Sequence, residues 1–180
     1  MEGCVLDSTI ESQTEASEAS LDAYRRLAEV FHHVLSEQSL DALLERIAGT
    51  LMDLLQYDTL IIYEADEAQE FLIPVLATDL YSEEIMQDRA PFGIGITGQA
   101  VSQREAILAN HAHLDPRIHV IPGTPLEPES FMSIPLLTKG LVKGALNIYR
   151  QGEDAVFSPE EFEIAKRFGG AAALAIDNAY

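Results

Sequence analysis

Apolar residues recur at three- and four-residue steps at both ends of this chain and at two-residue steps in its middle. Leu21, Tyr24, Leu27, Ala28, Phe31, Val34 and Leu35 form one narrow stripe at near-heptad spacing, which predicts a helix with a single apolar face. Ser39 then stands as a candidate N-cap before a wider stripe, Leu40, Leu43, Leu44, Ile47, Leu51, Met52, Leu54 and Leu55, which predicts a second helix packed on a sheet. Thr59–Tyr63 is β-branched and aromatic and reads as a strand, with Phe71–Ala77 as its hairpin partner across the polar run 64–70. Ser82–Arg89 is a short acidic helix or loop, and Ala106–Ala109 a short strand. Phe131–Thr138 and Val142–Arg150 form the clearest hairpin, turning at Lys139-Gly140-Leu141. Ser158, Pro159 and Glu161 make a capping box that opens a last helix, apolar to the final residue.

Helices at the ends and strands clustered as hairpins predict an α+β fold with an antiparallel sheet. Residues 1–20, with five acids and no Lys or Arg, read as a flexible acidic tail. Residues 21–37 read as a signalling or dimerisation helix, and 38–180 as one domain.

Two stretches break the periodic pattern. Gly93, Gly95 and Gly98 are spaced like a dinucleotide fingerprint, and Asp115 lies about where a ribose-binding acid would stand. The flanks do not fit that reading: the residues before Gly93 are polar and include Pro91, and the helix after it is short. Asn110–Ser130 holds four prolines, three histidines and one glycine, a length of loop usually functional or mobile.

The formal charge of −19 argues against nucleic-acid backbones and anionic membranes as partners, since both would repel the chain. The single cysteine, Cys4, excludes an intramolecular disulfide and a cysteine metal cluster. No signal peptide and no apolar run long enough to span a bilayer is visible, so a cytoplasmic location is expected.

Several motifs together resemble a GAF domain, the small-molecule sensor module of bacterial signalling proteins. They are Gly93-Ile-Gly-Ile-Thr-Gly98 followed by Gln99-Ala-Val101, Ser130-Phe-Met-Ser-Ile-Pro-Leu136-Leu137, Gly140 with Gly144-Ala-Leu-Asn-Ile-Tyr149, and Phe157-Ser-Pro-Glu-Glu-Phe162. Leu54-Leu-Gln-Tyr-Asp58 is similar to the family's entry into its first strand, and the match covers about 38–178. The resemblance implies a six-stranded antiparallel sheet, with the terminal helices on one face and a ligand pocket on the other. It also implies what is missing. Bilin-binding relatives use a pocket cysteine and methionine-sulfoxide-reducing relatives use several, but Cys4 lies far upstream and alone. Where haem-binding relatives carry a histidine before the proline matching Pro135, this chain has Pro125. The cyclic-nucleotide signature is not legible. No nucleophile has a persuasive triad partner and no P-loop or kinase signature is present, so no enzymatic activity and no catalytic residue is expected.

The reading is therefore a regulatory module for an unidentified small molecule, with no cofactor assigned. The pocket is expected on the sheet face away from the helices, roofed by Ser82–Arg89 and the loop from Asn110. Alternation along the strand sends Phe131, Ser133 and Pro135 to that face, and Met132, Ile134 and Leu136 to the helix core. Phe92, Ile96 and Thr97 border the glycine turn, and Asn110, Asp115 and His119 are the loop's polar candidates. Two alternatives stay open: a dimerising scaffold without a physiological ligand, and a metal or haem redox sensor using His111, His113 and His119. A homodimer is expected through the terminal helices, with Phe162, Ala165, Gly169, Ala172, Ile176 and Ala179 as the last helix's contact stripe and Gly169-Gly170 marking close helix approach. The last helix shows no stop signal, so it is expected to lead into an output domain such as a cyclic-dinucleotide synthase, a histidine kinase or a phosphatase.

Overall fold

A computed structural model of the chain describes residues 3–36 and 39–179. The expected boundary between 37 and 38 lies outside them. Two helices, α1 (Gly3–Ser36) and α2 (Leu40–Leu55), precede the hairpin β1 (Thr59–Asp66) and β2 (Phe71–Thr78). A short helix α3 (Ser82–Gln87), a two-residue strand β3 (Ala90–Pro91), α4 (Gly95–Gln103) and β4 (Ile107–Ala109) follow. After the long connection come β5 (Glu129–Thr138), β6 (Leu141–Gln151) and the closing helix α5 (Pro159–Ala179). The six strands form one antiparallel sheet in the order β3-β2-β1-β6-β5-β4.

Local chemistry explains most boundaries. Ser158 Oγ accepts from Glu161 N–H at 3.2 Å while the Glu161 carboxylate accepts from Ser158 N–H at 2.8 Å, so the capping box closes reciprocally. Ser39 caps α2 through a bond from Ala42 N–H. Lys139 and Gly140 have φ of 50° and 79°, the left-handed pair that a two-residue hairpin between β5 and β6 requires. Pro91, which argued against a strand, sits on the sheet's edge, where a missing N–H is tolerated. The glycine spacing is a folding requirement: Gly93 and Gly95 have φ of +76° and +71°, and a Cβ on Gly98 would stand 2.2 Å from the Pro91 carbonyl oxygen.

The main core lies between the sheet and the helices. Leu60, Ile62, Met132, Ile134, Leu136, Leu146 and Ile148 face Leu44, Ile47 and Leu51 of α2 and Ala165, Phe168, Ala172 and Ile176 of α5. The expected alternation of β5 therefore holds.

α1 begins at Gly3, within the stretch read as an acidic tail; the run contains no proline, and the described side chains at 15 and 17–21 are exposed. One expectation is corrected. The contact stripe on α5 faces inward, because Ala165, Gly169, Ala172 and Ile176 are buried against the chain's own sheet and α2. On α1, Ala23 and Val30 are buried and Leu27 packs at the core's edge, whereas Leu21 and Tyr24 remain exposed. The side chains of Val34 and Leu35 lie outside those described. Tyr24 instead carries the Arg167 guanidinium 4.3 Å from its ring centroid, which docks α1 on α5.

Gly169 owes its identity to the sheet: a Cβ there would stand 2.7 Å from Ile134 Cγ2, while one on Gly170 meets nothing within 4 Å. Urea unfolding is expected to show Gly169→Ala destabilised by about 1–3 kcal/mol and Gly170→Ala stabilised by up to about 1 kcal/mol.

Candidate functional site

The sheet face away from the helices carries Ile61 and Tyr63 from β1, Ala145, Asn147 and Tyr149 from β6, and Phe131 and Ser133 from β5. Above it lie α3, α4 and the connection 110–128, which enclose two adjoining cavities. The outer one, about 70 Å³, is floored by Thr59, Ile61 and Tyr149 and walled by Asp79, Tyr81, Ile85 and Glu129. The inner one, about 30 Å³, lies between Tyr63, Phe131 and the start of α4 at Gly95–Thr97. Ile118, His119, Ile121 and Tyr149 border both, so they form one cleft with a waist. The volumes suit a small ligand rather than one that fills several hundred Å³.

Polar groups in the cleft are held from several elements. Asp79, just past β2, accepts from the Thr59 hydroxyl and, at 2.7 Å, from Tyr81 N–H, which fixes its carboxylate at the outer wall. Glu129 enters from the first position of β5, and the His113 ring bonds its backbone N–H and faces its backbone carbonyl. Burial pushes the Glu129 carboxyl up to about 7, with Glu127 and Asp79 adding repulsion and His113 opposing them. Behind the inner cavity's wall, Asn147 Nδ2 donates to Thr97 Oγ1 at 2.8 Å and to the Tyr149 hydroxyl at 3.1 Å. The Tyr149 ring stacks on Phe131 with centroids 4.7 Å apart. Burial and the Glu129 charge hold the Tyr149 hydroxyl above the ordinary phenol range, and burial does the same for Tyr63. Four buried side-chain atoms make no hydrogen bond among the described residues: Asp88 Oδ2, Ser133 Oγ, Thr138 Oγ1 and Asn147 Oδ1.

The structure brings four of the expected residues together: Ile96, Thr97, His119 and Phe131 all border the inner cavity. Ser133 lies on the same face, opposite Asn147, fully buried and behind the cavity wall. Phe92 packs against the apolar cluster around Tyr63 and Ile85. Asn110 and Asp115 are elsewhere. The Asn110 carboxamide both donates to and accepts from the Phe157 backbone at 3.0 Å, tying the loop to the start of α5. Asp115 is clamped by Arg117, whose hydrogen bonds hold its carboxyl down to about 2. The sequence reading missed Thr59, Asp79, Glu129, Asn147 and Tyr149. Alternation along β6, extended from the β5 argument, marks Asn147 and Tyr149; nothing local marks Asp79 or Glu129. The loop histidines do not converge: the His111 and His113 rings are 6.4 Å apart, and no three potential ligands stand close enough to share an ion among the described residues.

Glu129 makes stability depend on pH. Unfolded, its carboxyl titrates near the ordinary value of about 4.3, and folded at about 7. The folded chain thus binds the extra proton between those values. Its stabilising contribution is complete below about pH 4 and lost as pH rises through about 7. Glu129→Gln removes this loss. Its melting temperature is expected to match wild type at about pH 4 and to exceed it by roughly 2–6 °C at about pH 8, the partial exposure of the group limiting the effect.

The arrangement can be compared with known proteins. No curated protein sequence matches the chain. Among solved structures, the chain is similar to the GAF domain of a phosphoenolpyruvate-protein phosphotransferase from Coxiella burnetii, with a TM-score of 0.77 at 22% identity over 88% of this chain and 95% of that one. A corresponding GAF domain from Acinetobacter gives 0.75 at 19% identity, covering 87% and 93%. Free methionine-R-sulfoxide reductase from Neisseria meningitidis, in complex with its substrate, gives 0.73 at 18%, covering 90% and 92%. Those likenesses establish the shared fold. The sequence model of the GAF domain matches residues 37–177, most of the chain, and on that match the chain belongs to the GAF domain family.

Proposed function

We propose that this chain is a regulatory module of a bacterial signal-transduction protein, which binds a small molecule in the cleft beneath residues 110–128 and passes its ligand state to an output domain through the terminal helices of a homodimer. The observation that carries this reading is the sheet's two-sided use. Phe131 borders the inner cavity on one face of β5, while Ile134 on the other face meets α5 at Gly169, so a ligand that shifts β5 pushes on the closing helix. The similar fold of a reductase solved with its substrate supports the binding part of the reading, and that of a GAF domain from a phosphotransferase supports a place within a larger protein. The role is regulatory, as the chain's membership of the GAF domain family supports. A cyclic-dinucleotide synthase, a histidine kinase or a phosphatase fits as the output. Leu21 and Tyr24, 65% and 48% exposed on α1, supply the dimer contact in place of the buried α5 stripe.

Sedimentation at micromolar concentration tests the dimer, with Leu21→Glu and Tyr24→Glu expected to shift it to monomer. Hydrogen exchange with and without a compound that raises the melting temperature tests transmission. Slower exchange in both 110–128 and α5 is expected; protection confined to the loop contradicts the reading.

A further inference from the structure

Building on the proposal that the cleft binds a small molecule, we infer that its inner chamber recognises an uncharged carbonyl oxygen. The Tyr63 hydroxyl and the first-turn N–H groups of α4 receive that oxygen, and the rest of the ligand runs past Ile121 into the outer chamber.

The helix end supplies donors. A helix leaves its first N–H groups without a carbonyl one turn before them. The hydroxyls of Ser39 and Ser158 cap that end of α2 and of α5. At α4 the N-cap is Ile94, which makes no side-chain cap, and the N–H groups of Gly95, Ile96 and Thr97 make no bond outside the helix among the described residues. All three residues border the inner chamber.

A second, independent observation comes from the sheet. Tyr63 on β1 is 2% exposed and borders the same chamber. Its hydroxyl makes no hydrogen bond among the described residues, yet it is not one of the unbonded atoms sealed away from free space. For a side chain so fully covered, the space it meets is the chamber. Burial, then Tyr149 and the Asp88 charge, hold this phenol well above its ordinary range, so it keeps its proton and presents a donor. The chamber, about 30 Å³, has room for one small group, so an oxygen placed there meets the phenol and the helix end together.

Donors alone would suit a carboxylate equally well. No Lys or Arg lines either chamber, however. The Asp88 charge acts on Tyr63, and Asp79 and Glu129 stand in the adjoining chamber. The helix end carries the equivalent of about half a positive charge, which those full negative charges outweigh. A neutral oxygen accepts the same hydrogen bonds without the repulsion.

Amide-resolved NMR of the full chain with n-butyramide, n-butyrate and n-butylammonium, at millimolar concentration and neutral pH, tests the inference. Selective binding of n-butyramide is expected, with downfield shifts of the Gly95, Ile96 and Thr97 amide protons. Its affinity should fall at least about fivefold in Tyr63→Phe, and be lost in Ile121→Trp, whose side chain fills the waist. Without any probe, Tyr63→Phe is expected to melt at or above the wild-type temperature, because the hydroxyl it lacks had no partner. A clearly lower melting temperature would reveal a partner within the chain and overturn the assignment. If n-butyrate or n-butylammonium binds as tightly as n-butyramide and in an Ile121-dependent manner, the carbonyl is wrong and the cleft's role as a binding site stands. If n-butyramide binds equally to wild type and Tyr63→Phe, or leaves those amide protons unshifted, the oxygen site is wrong. Silence of all three probes overturns both the oxygen site and the binding site it rests on.

Discussion

Gly144→Ala is expected to destabilise the fold by about 3 kcal/mol or more, a fall in melting temperature of roughly 6–12 °C. Gly144 sits in β6 between Glu64 of β1 and Leu136 of β5, in the middle of the sheet. A Cβ there would stand 1.8 Å from the Tyr63 carbonyl oxygen and 2.8 Å from its carbon. Both atoms are backbone, so no side chain can rotate away. β1 and β6 must separate by more than an ångström, breaking ladder hydrogen bonds on the strand that floors the cleft. Gly49→Ala is the control: Gly49 is exposed on α2 with nothing within 4 Å of an added Cβ, and alanine there should stabilise by up to about 1 kcal/mol. Urea unfolding within about 0.5 kcal/mol of wild type for Gly144→Ala would contradict the close approach of these strands.

Removing the Arg150 guanidinium is expected to cost about 2–4 kcal/mol. From the end of β6 it donates to the Leu55 carbonyl at the end of α2, to Val156 O at 2.9 Å and to Glu161 Oε1 at 2.8 Å. Its plane also covers the Phe157 ring at 4.2 Å. One side chain, 18% exposed, thus ties the sheet to the C-terminus of α2 and the N-terminus of α5. Arg150→Met keeps the aliphatic stem and isolates the loss of the fork. Arg150→Lys should recover little, because one ammonium cannot span three acceptors on different elements. Glu161→Gln preserves the capping bonds with Ser158, so a double-mutant cycle with Arg150→Met measures the ion pair alone. A coupling of about 1–2 kcal/mol is expected, and additivity would place the Arg150 effect in its carbonyl contacts instead.

Features set by short-range chemistry were legible in the sequence. Ser158 and Glu161 name the start of α5, Lys139-Gly140 names the hairpin, and the apolar set Met132, Ile134 and Leu136 names the core face of β5. Features set by distant contacts were not. The stripe Ala165, Gly169, Ala172 and Ile176 has the spacing of a helix–helix seam, yet small residues at that spacing serve equally well where a helix lies flat on a sheet, as Ile134 beneath Gly169 shows. β3 was missed because two residues ending in a proline carry no strand signal, and it exists only by pairing Leu72 and Phe71 at the sheet edge. The cleft was half legible for the same reason. Ile96, Thr97, His119 and Phe131 stood out through the glycine turn, the long loop and strand alternation. Asp79 and Glu129 are fifty residues apart in a chain crowded with acids, and only the pairing of β2 with β1, of β1 with β6 and of β6 with β5 sets them on one wall. Asn110 and Asp115 looked available because loop polar residues often are; here Phe157 and Arg117 use them.

The claim that the sheet face under 110–128 receives a small molecule is tested most directly by melting wild type and Ile121→Trp side by side across a set of small cationic, neutral and anionic compounds. At least one compound is expected to raise the wild-type melting temperature with its concentration, as binding to the folded state requires, and to leave Ile121→Trp unmoved. Identical responses of the two proteins, or no stabilising compound for either, would contradict it.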